Sequence, residues 1–375
     1  MFMRTYSTFI HFLLVSVTVL SLGWITLITS CDTTEPPPPP PPPPKDPRTY
    51  TWTYDTLAYP GSFQTLMWDI WASSPTDIYV VGHNDLLGQG TMYHFDGTGW
   101  ASTRFHVAEG GPIVGGLSLS RVFGFDANNI YVVGERRFQN PNPPPNTVDS
   151  SLIIRFDGIT WREHPVVGGR SLRGVWGRNA SDIWVGGLDR TMFHFDGSTW
   201  SRDSVSVSAP SDGLFQLNRI SGHDSSLYAL GSSIDYQVNI RLYYFFERRS
   251  GVWAPVDSFT EVSTHKWGAA NMWATKTGGL YSSGLGVFRM DGNSWIKILP
   301  SASAFWGIHV LNCQSVFSVG DFGKAYHYDG TDWFQFTNLE DTSVIYTAVW
   351  AFENEAFIVG IIPGPPQKTI VLHGR

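Results

Sequence analysis

Imidazole, guanidinium and carboxylate groups recur at two fixed positions along this sequence of 375 residues. The first position holds a basic side chain before an apolar residue: His94, Arg155, His194, Arg289 and His327. The second holds an Asp two residues later, directly before a Gly: Asp96, Asp157, Asp196, Asp291 and Asp329. A ring of such groups could bind a metal ion or an anion. Because the spacing returns in every copy, we expect the basic side chains to be spread around a repeat structure and the aspartates to form turns.

The Asp-Gly pair belongs to a longer repeat. A short apolar strand ending in Gly precedes it, as in residues 77–82, and six further copies end at Gly134, Gly187, Gly231, Gly284, Gly320 and Gly360. A Trp follows the Asp-Gly glycine by three residues in five copies: Trp100, Trp161, Trp200, Trp295 and Trp333. Asp-Gly between apolar runs is typical of a β-hairpin. With one more apolar strand before each copy, every unit is predicted to have four strands.

Repeated four-stranded units predict an all-β fold, a seven-bladed β-propeller spanning residues 49–375. The last unit ends at Arg375 before any Trp, whereas residues 49–57 carry Trp52 with no unit before them. We therefore expect this N-terminal strand to complete the last blade, which would close the ring and remove an exposed sheet edge.

The repeat resembles the kelch unit, in which a strand ends in paired glycines, here Gly186 and Gly187, and a Trp follows an aromatic residue of the next strand. It is more similar to the tandem repeats of bacterial secreted and lipoprotein propellers, which carry the same Asp-Gly-x-x-Trp hairpin. The resemblance covers residues 49–375. It implies a propeller fold.

The first 48 residues lack the repeat. Arg4 is the only charge before Asp32, an apolar stretch follows it, and residues 28–31 read Ile-Thr-Ser-Cys. These four residues resemble a bacterial lipobox, which implies removal of a signal peptide, residues 1–30, and lipidation of Cys31. An uncleaved membrane anchor is the alternative. Either way, the remaining chain is predicted to lie outside the cytoplasm, in a bacterial cell envelope at the outer membrane or cell surface.

Nine consecutive prolines, residues 36–44, follow the lipobox within the segment 31–48. Such a run favours a polyproline II rod of roughly 28 Å. We interpret it as a spacer that holds the propeller away from the membrane.

Charge and cysteine content restrict the partners. The 25 Lys and Arg against 32 Asp and Glu give a net charge of −7, without the global basic field of a nucleic-acid binder. Neither Cys31 nor Cys313 has metal-ligand spacing. The sequence also lacks a nucleophile elbow, a phosphate-binding glycine loop and a calcium loop. We predict no metal, no cofactor, no assigned catalytic residue and a monomeric state.

Loop lengths distinguish the two faces of the predicted propeller. The distance from the strand-ending Gly to the next basic position ranges from 5 residues (Gly284 to Arg289) to 21 (Gly134 to Arg155), while the other turns are nearly constant. Variable loops on a fixed scaffold favour recognition at that face, with neutral loop drift as the alternative. The longest predicted loop is residues 135–151. We predict ligand-binding residues on this face and, for the last one, near the central channel: His83, Asp85, His106, Glu135, Arg136, Arg137, Phe138 and His309.

These observations favour a binding or scaffold module for a protein or a polysaccharide. The alternative is a glycan-active enzyme, a glycosidase or lyase, with its site at the channel mouth. It would need two carboxyls about 5 to 10 Å apart there, and the candidates are Asp85, Glu109, Glu135 and Asp212. A third possibility is a purely structural partner in envelope assembly, whose channel mouth would be plugged.

Overall fold

The computed structural model describes residues 43–86, 88–105, 113, 115–139, 147–164, 168–207 and 214–375, with the backbone alone at 138–139 and 147–148. The predicted signal peptide, Cys31 and most of the proline spacer lie outside the described residues. So do His106, Glu109 and Asp212.

The described residues form 26 β-strands and two short 3₁₀ helices, residues Pro47–Thr49 and Thr337–Leu339. The all-β prediction is confirmed. The strands are β1 (Trp52–Leu57), β2 (Thr65–Ser74), β3 (Asp77–Asn84), β4 (Met92–Phe95), β5 (Trp100–Ser102), β6 (Gly116–Asp126), β7 (Asn129–Gln139), β8 (Thr147–Phe156), β9 (Trp161–Glu163), β10 (Leu172–Asn179), β11 (Asp182–Gly187), β12 (Met192–Phe195), β13 (Trp200–Arg202), β14 (Leu214–His223), β15 (Ser226–Asp235), β16 (Ile240–Arg249), β17 (Val252–Thr260), β18 (Asn271–Ala274), β19 (Leu280–Asp291), β20 (Ser294–Asn312), β21 (Ser315–Gly320), β22 (Ala325–Tyr328), β23 (Trp333–Gln335), β24 (Ile345–Ala351), β25 (Ala356–Ile362) and β26 (Lys368–Gly374).

Antiparallel sheets follow one another along the chain. Three have four strands, in the orders β10-β11-β12-β13, β14-β15-β16-β17 and β1-β26-β25-β24. An eight-stranded sheet consists of β2–β5 and β6–β9, which are joined through one residue pair, His83 and Ser118. A six-stranded sheet, β18–β23, continues through β20, which pairs with β19 by its first part and with β21 by its second.

The N-terminal strand lies on the outside of the sheet formed by the last three strands. β1 pairs with β26 over six residues, from Trp52 opposite Gly374 to Leu57 opposite Thr369. The Trp52 ring meets Phe336 edge-on, at 5.4 Å between ring centroids. The first and last parts of the described chain therefore share one sheet.

The first strands of successive sheets pack side by side. Contacts run from β2 to β6, β10, β14, β18, β20 and β24, and β24 in turn contacts β2. Apolar clusters lie between neighbouring groups of strands. One cluster contains Tyr79, from β2–β5, together with Val132 and Trp161, from β6–β9. Because each sheet is covered on both faces, its strands are apolar on both faces.

The repeated Asp-Gly pairs form tight turns, as predicted. Asp96 Oδ1 accepts hydrogen bonds from the backbone N of Thr98 and Gly99, at 2.8 and 3.0 Å. Gly97 has a φ of 90°, which glycine adopts without steric cost. The side-chain hydrogen bond from Thr98, followed by the backbone ones, lowers the pKa of Asp96 to about 2. Asp157, Asp196 and Asp329 form equivalent turns.

The repeated histidines are held within their own sheets. His94 Nε2 lies 2.7 Å from Asp77 Oδ1, and its ring stacks on Tyr79. His194 makes the same contacts with Asp182, at 2.8 Å, and Trp184. Within the described ranges, no group of three or more His, Cys, Asp or Glu side chains is placed to hold a metal ion.

The predicted loop 135–151 is an expectation that the structure corrects. Residues 135–139 continue β7 and residues 147–151 begin β8, with Glu135 opposite Ser151 and Arg137 opposite Asp149. The cross-strand ion pair between Arg137 Nε and Asp149 Oδ1, at 2.9 Å, stabilises this extended hairpin. The connecting residues 140–146 lie outside the described residues.

The described residues contain no helix that combines the length and the apolar character needed to span a bilayer.

Candidate ligand-binding pocket

A cavity of about 830 Å³ opens where the first strands of the sheets begin. Its lining includes residues from six of those strands: Trp68, Arg121, Arg173, Arg219, Trp306 and Thr347. Further lining residues flank the β15–β16 turn and the β17–β18 connection. The pocket therefore opens at the face whose loop lengths vary, and its volume falls within the usual ~300–1,000 Å³ range of ligand pockets.

One side of the pocket is a cationic wall formed by Arg121, Arg173 and Arg219, on the consecutive strands β6, β10 and β14. Arg219 is only 7% exposed. Its Nε and Nη1 atoms, and the Nε atoms of the other two arginines, are buried without a hydrogen-bond partner among the described residues. Burial lowers the pKa of Arg121, a shift that Arg173 reinforces and Asp69 opposes. The protein therefore holds charged donors here that it does not itself satisfy.

Two carboxyl groups lie against this wall. Asp69 interacts with Arg121 and accepts a hydrogen bond from the backbone N of Val122, at 3.0 Å. Burial raises the pKa of Asp69 despite these contacts. Glu135 Oε2 lies 3.8 Å from Arg173 Nη2. Arg219 forms no ion pair with any residue in the described part of the chain.

Another part of the lining is apolar and includes Leu285, Trp306 and Ile345, on β19, β20 and β24. Trp306 is 42% exposed, although it is a large apolar side chain. Its Nε1 donates to Asp321 Oδ1 at 2.7 Å, which fixes the orientation of the indole. The pocket thus combines oriented apolar surface with guanidinium groups in one lining.

Several predicted site residues gather beside the cationic wall. Arg137 Nη2 lies 3.7 Å from Glu135 Oε1, and Glu135 links this pair to Arg173. His83 experiences the charges of Asp85, Glu135 and Arg137, while burial lowers its pKa. The structure therefore brings His83, Glu135 and Arg137 together at the edge of the pocket.

Other predicted residues are engaged in local contacts. Asp85 Oδ1 accepts hydrogen bonds from Ser62 Oγ, at 2.7 Å, and from the backbone N of Gln64, at 3.0 Å. Arg136 forms a bidentate ion pair with Glu163, with both N–O distances at 2.7 Å. The side chain of Phe138 and all of His106 lie outside the described residues. Their role in ligand binding stays a prediction.

His309 lies deeper than the pocket. It is 4% exposed, and its ring is 4.2 Å from Trp273 and 4.5 Å from Trp350 between centroids. Its Nδ1 accepts a hydrogen bond from the backbone N of Ala351, at 3.3 Å. Burial lowers its pKa to about 3. We call Trp71, Trp273, His309 and Trp350 the aromatic layer, and its contacts connect four of the first strands.

The cationic wall was missed in the sequence, although a signal for it is present. Each arginine falls between two buried apolar residues of a strand: Arg121 between Leu119 and Val122, Arg173 between Leu172 and Val175, and Arg219 between Leu217 and Ile220. Charged side chains are rarely placed inside apolar strands without a partner or a function. Aligning the first strands of the repeats would have shown them at neighbouring positions.

No protein-family model and no curated protein matches the sequence. Several solved structures are similar in fold to this chain. "YCF48 bound to D1 peptide" has a TM-score of 0.58 at 16% identity, over 88% of this chain and 98% of that one. YCF48 from Cyanidioschyzon merolae has a TM-score of 0.54 at 13% identity, over 85% and 98%.

A third similar structure is the WD40 β-propeller domain of Doa1, with a TM-score of 0.50 at 10% identity, over 85% of this chain and 96% of that one. This chain is a β-propeller. The propeller prediction is confirmed. At these identities, the comparison establishes the fold alone.

Proposed function

We propose that this propeller is a protein-binding module that holds a segment of a partner protein in the pocket. The observation that carries the proposal is the pocket itself, which is lined by unsatisfied guanidinium groups and by an exposed, oriented indole. Such cationic and aromatic side chains often dominate binding energy at protein interfaces. The similar propeller YCF48, which is described as bound to the D1 peptide, supports a peptide as the ligand class.

The proposal includes a ring of seven four-stranded blades, with β1 as the outer strand of the last blade. The cycle of contacts among the first strands and the pairing of β1 with β26 support it. It also keeps the narrower resemblance to kelch-like and bacterial lipoprotein repeats, which rests on the sequence motifs. A monomer is expected, because β1 covers the edge of β26 and only the outer strands of the blades keep a free edge.

A glycan-active enzyme would need two carboxyls free to act as acid and base. The described carboxyls at the pocket have other partners. Glu135 faces Arg137 and Arg173, and Glu261 Oε1 accepts a hydrogen bond from the backbone N of Arg241 at 2.9 Å. We therefore give binding precedence over catalysis.

The proposed location is the bacterial cell envelope, with a lipid on Cys31 and the proline run as a spacer. Mass spectrometry of the membrane fraction is expected to find a mature chain that starts at an acylated Cys31. Cys31→Ser is expected to leave residues 1–30 attached and to reduce membrane retention, because the acyl anchor is lost. A mature wild-type chain that keeps residues 1–30, or an unmodified Cys31, would contradict the lipid anchor.

The binding function is tested with randomised hexapeptide mixtures on immobilised full-length protein, with retained peptides measured by mass spectrometry. Trp306→Ala is expected to reduce retention at least tenfold, which corresponds to about 1.4 kcal/mol. The matched control is Tyr54→Ala on β1, since Tyr54 is an exposed aromatic residue that does not line the pocket. Glycans are offered in parallel. If glycans bind in a way that depends on Trp306 and no peptide is retained, the ligand is a polysaccharide and not a protein.

A further inference from the structure

The cationic wall holds more positive charge than the described residues around it neutralise. Three guanidinium groups face two carboxyl groups, Asp69 and Glu135. Glu135 is also shared with Arg137, at 3.7 Å. The wall itself therefore has an excess of positive charge, and Arg219 has no acidic partner in the described part of the chain.

The energetics at Arg219 point to a ligand. A buried guanidinium with unsatisfied N–H groups costs free energy, because it has lost water without gaining an acceptor. Arg219 is more than nine-tenths buried, and its Nε and Nη1 have no acceptor among the described residues. An anion entering the pocket would supply both the acceptor and the missing negative charge.

The arrangement suits a carboxylate in particular. Arg121 and Arg219 occupy the same repeat position, two residues after the buried Leu119 and Leu217, and Arg173 lies one residue after the equivalent Leu172. The three side chains therefore start at about the same depth on successive strands. A guanidinium presents a planar fork of N–H donors that matches the two oxygens of a carboxylate.

We infer that Arg121, Arg173 and Arg219 form a subsite for a carboxylate of the bound peptide, in the first place its C-terminal carboxylate. This rests on the proposed function. The aromatic layer lies below the pocket: on β20, His309 follows Trp306 by three residues, about 10 Å along the strand. Because this layer blocks the way below the pocket, a peptide reaches the cationic wall most directly with its chain end. An Asp or Glu side chain offers the same group, and the experiment separates the two sources.

The probes are three hexapeptide mixtures that share a C-terminal Leu and are randomised over all residues except Asp and Glu. The first mixture has a free carboxylate, the second a C-terminal amide, and the third an amide with a fixed Asp two positions before the Leu. Full-length wild type is expected to retain the first at least tenfold better than the second, because a charge-assisted interaction is lost with the amide. Equal retention of the second and third confirms the chain end as the source. Retention of the third at the level of the first overturns the C-terminal assignment in favour of a side-chain carboxylate.

Arg219→Met tests the subsite on the protein side. The variant is expected to lose the preference for carboxylate over amide, while its thermal unfolding midpoint rises by a few degrees because an unsatisfied buried charge is removed. The control is Arg162→Met on β9, since Arg162 is exposed and does not line the pocket. A lower midpoint for Arg219→Met would assign Arg219 a structural role and overturn the inference.

The outcomes distinguish a failure of this inference from a failure of the proposed function. Peptide retention that depends on Trp306 but not on the carboxylate or Arg219 would overturn the subsite and leave the binding module in place. If no mixture is retained by the wild type, the proposed function fails, and the subsite fails with it.

Discussion

Internal deletion of residues 49–57 is expected to lower the free energy of unfolding by about 3–5 kcal/mol, the range for losing a large buried side chain, and to make the protein aggregate. The deletion removes Tyr50 and β1, exposes the paired edge of β26 and uncovers the rest of the apolar cluster, which contains Ile370 and Leu372. An unpaired edge with apolar side chains is a site of chain-to-chain pairing. Denaturant unfolding and light scattering of the full-length protein measure both effects.

Two point variants on β1 show how much of the lost stability comes from buried contacts and how much from shortening the chain. Leu57→Ala is expected to cost about 2–5 kcal/mol, because Leu57 is buried at the end of β1. Tyr54→Ala on the same strand is expected to stay within about 0.5 kcal/mol of the wild type, because Tyr54 is 71% exposed. A deletion variant that unfolds at the wild-type denaturant concentration would show that β1 does not complete the last sheet.

The fold was accessible from the sequence because its signals are local. The turn at Asp96 and Gly97 is specified by one side chain that bonds the backbone two and three residues ahead and by one glycine with a positive φ. The same local chemistry recurs at Asp157, Asp196 and Asp329, so self-comparison finds it. The position of β1 was also accessible, since Trp52 is an outer-strand residue without a unit of its own.

Strand boundaries were harder to predict from the sequence where the connections between strands are short. The sequence predicts separate strands on either side of Gly284, but β19 is extended throughout, and β20 serves two sets of strands. A connection of only a few residues leaves no distinct loop in the pattern. The extended hairpin at 135–151 was missed for a different reason, because its cross-strand pairs, such as Arg137 with Asp149, are not part of the repeat pattern.

The pocket was the least accessible feature. A repeat pattern reveals what the units share, whereas Arg121, Arg173 and Arg219 are departures from the pattern. That they converge follows from the contacts between successive first strands, which no single unit contains. The partners of Arg136 and Arg173 are likewise distant in sequence. Loop length indicated the face at which the pocket opens, while the charges inside the pocket depend on the assembled propeller.

The strand-ending glycines provide the second large expected effect. A Cβ on Gly134 would lie 2.1 Å from the backbone O of Ser118 and 2.9 Å from Leu119 Cα. The same carbonyl contact occurs at Gly82, Gly187 and Gly320, at 1.9, 2.2 and 2.0 Å. These distances lie far inside van der Waals contact, and the clashing atom belongs to a hydrogen-bonded strand that cannot rotate away. The repeat therefore retains Gly here because two strands approach closely, and not because of a positive φ.

Gly134→Ala is accordingly expected to destabilise the protein by about 3 kcal/mol, at the upper end of typical overpacking costs. The matched control is Gly99→Ala, because a Cβ on Gly99 meets no atom within 4 Å and its φ is not positive. Loss of backbone freedom in the unfolded chain then makes the control neutral or slightly stabilising. Urea unfolding compares the two variants, and the soluble fraction on expression serves if Gly134→Ala does not fold. Equal stabilities would show that β6 and β7 separate readily, and the close strand contact would no longer explain the repeated glycine.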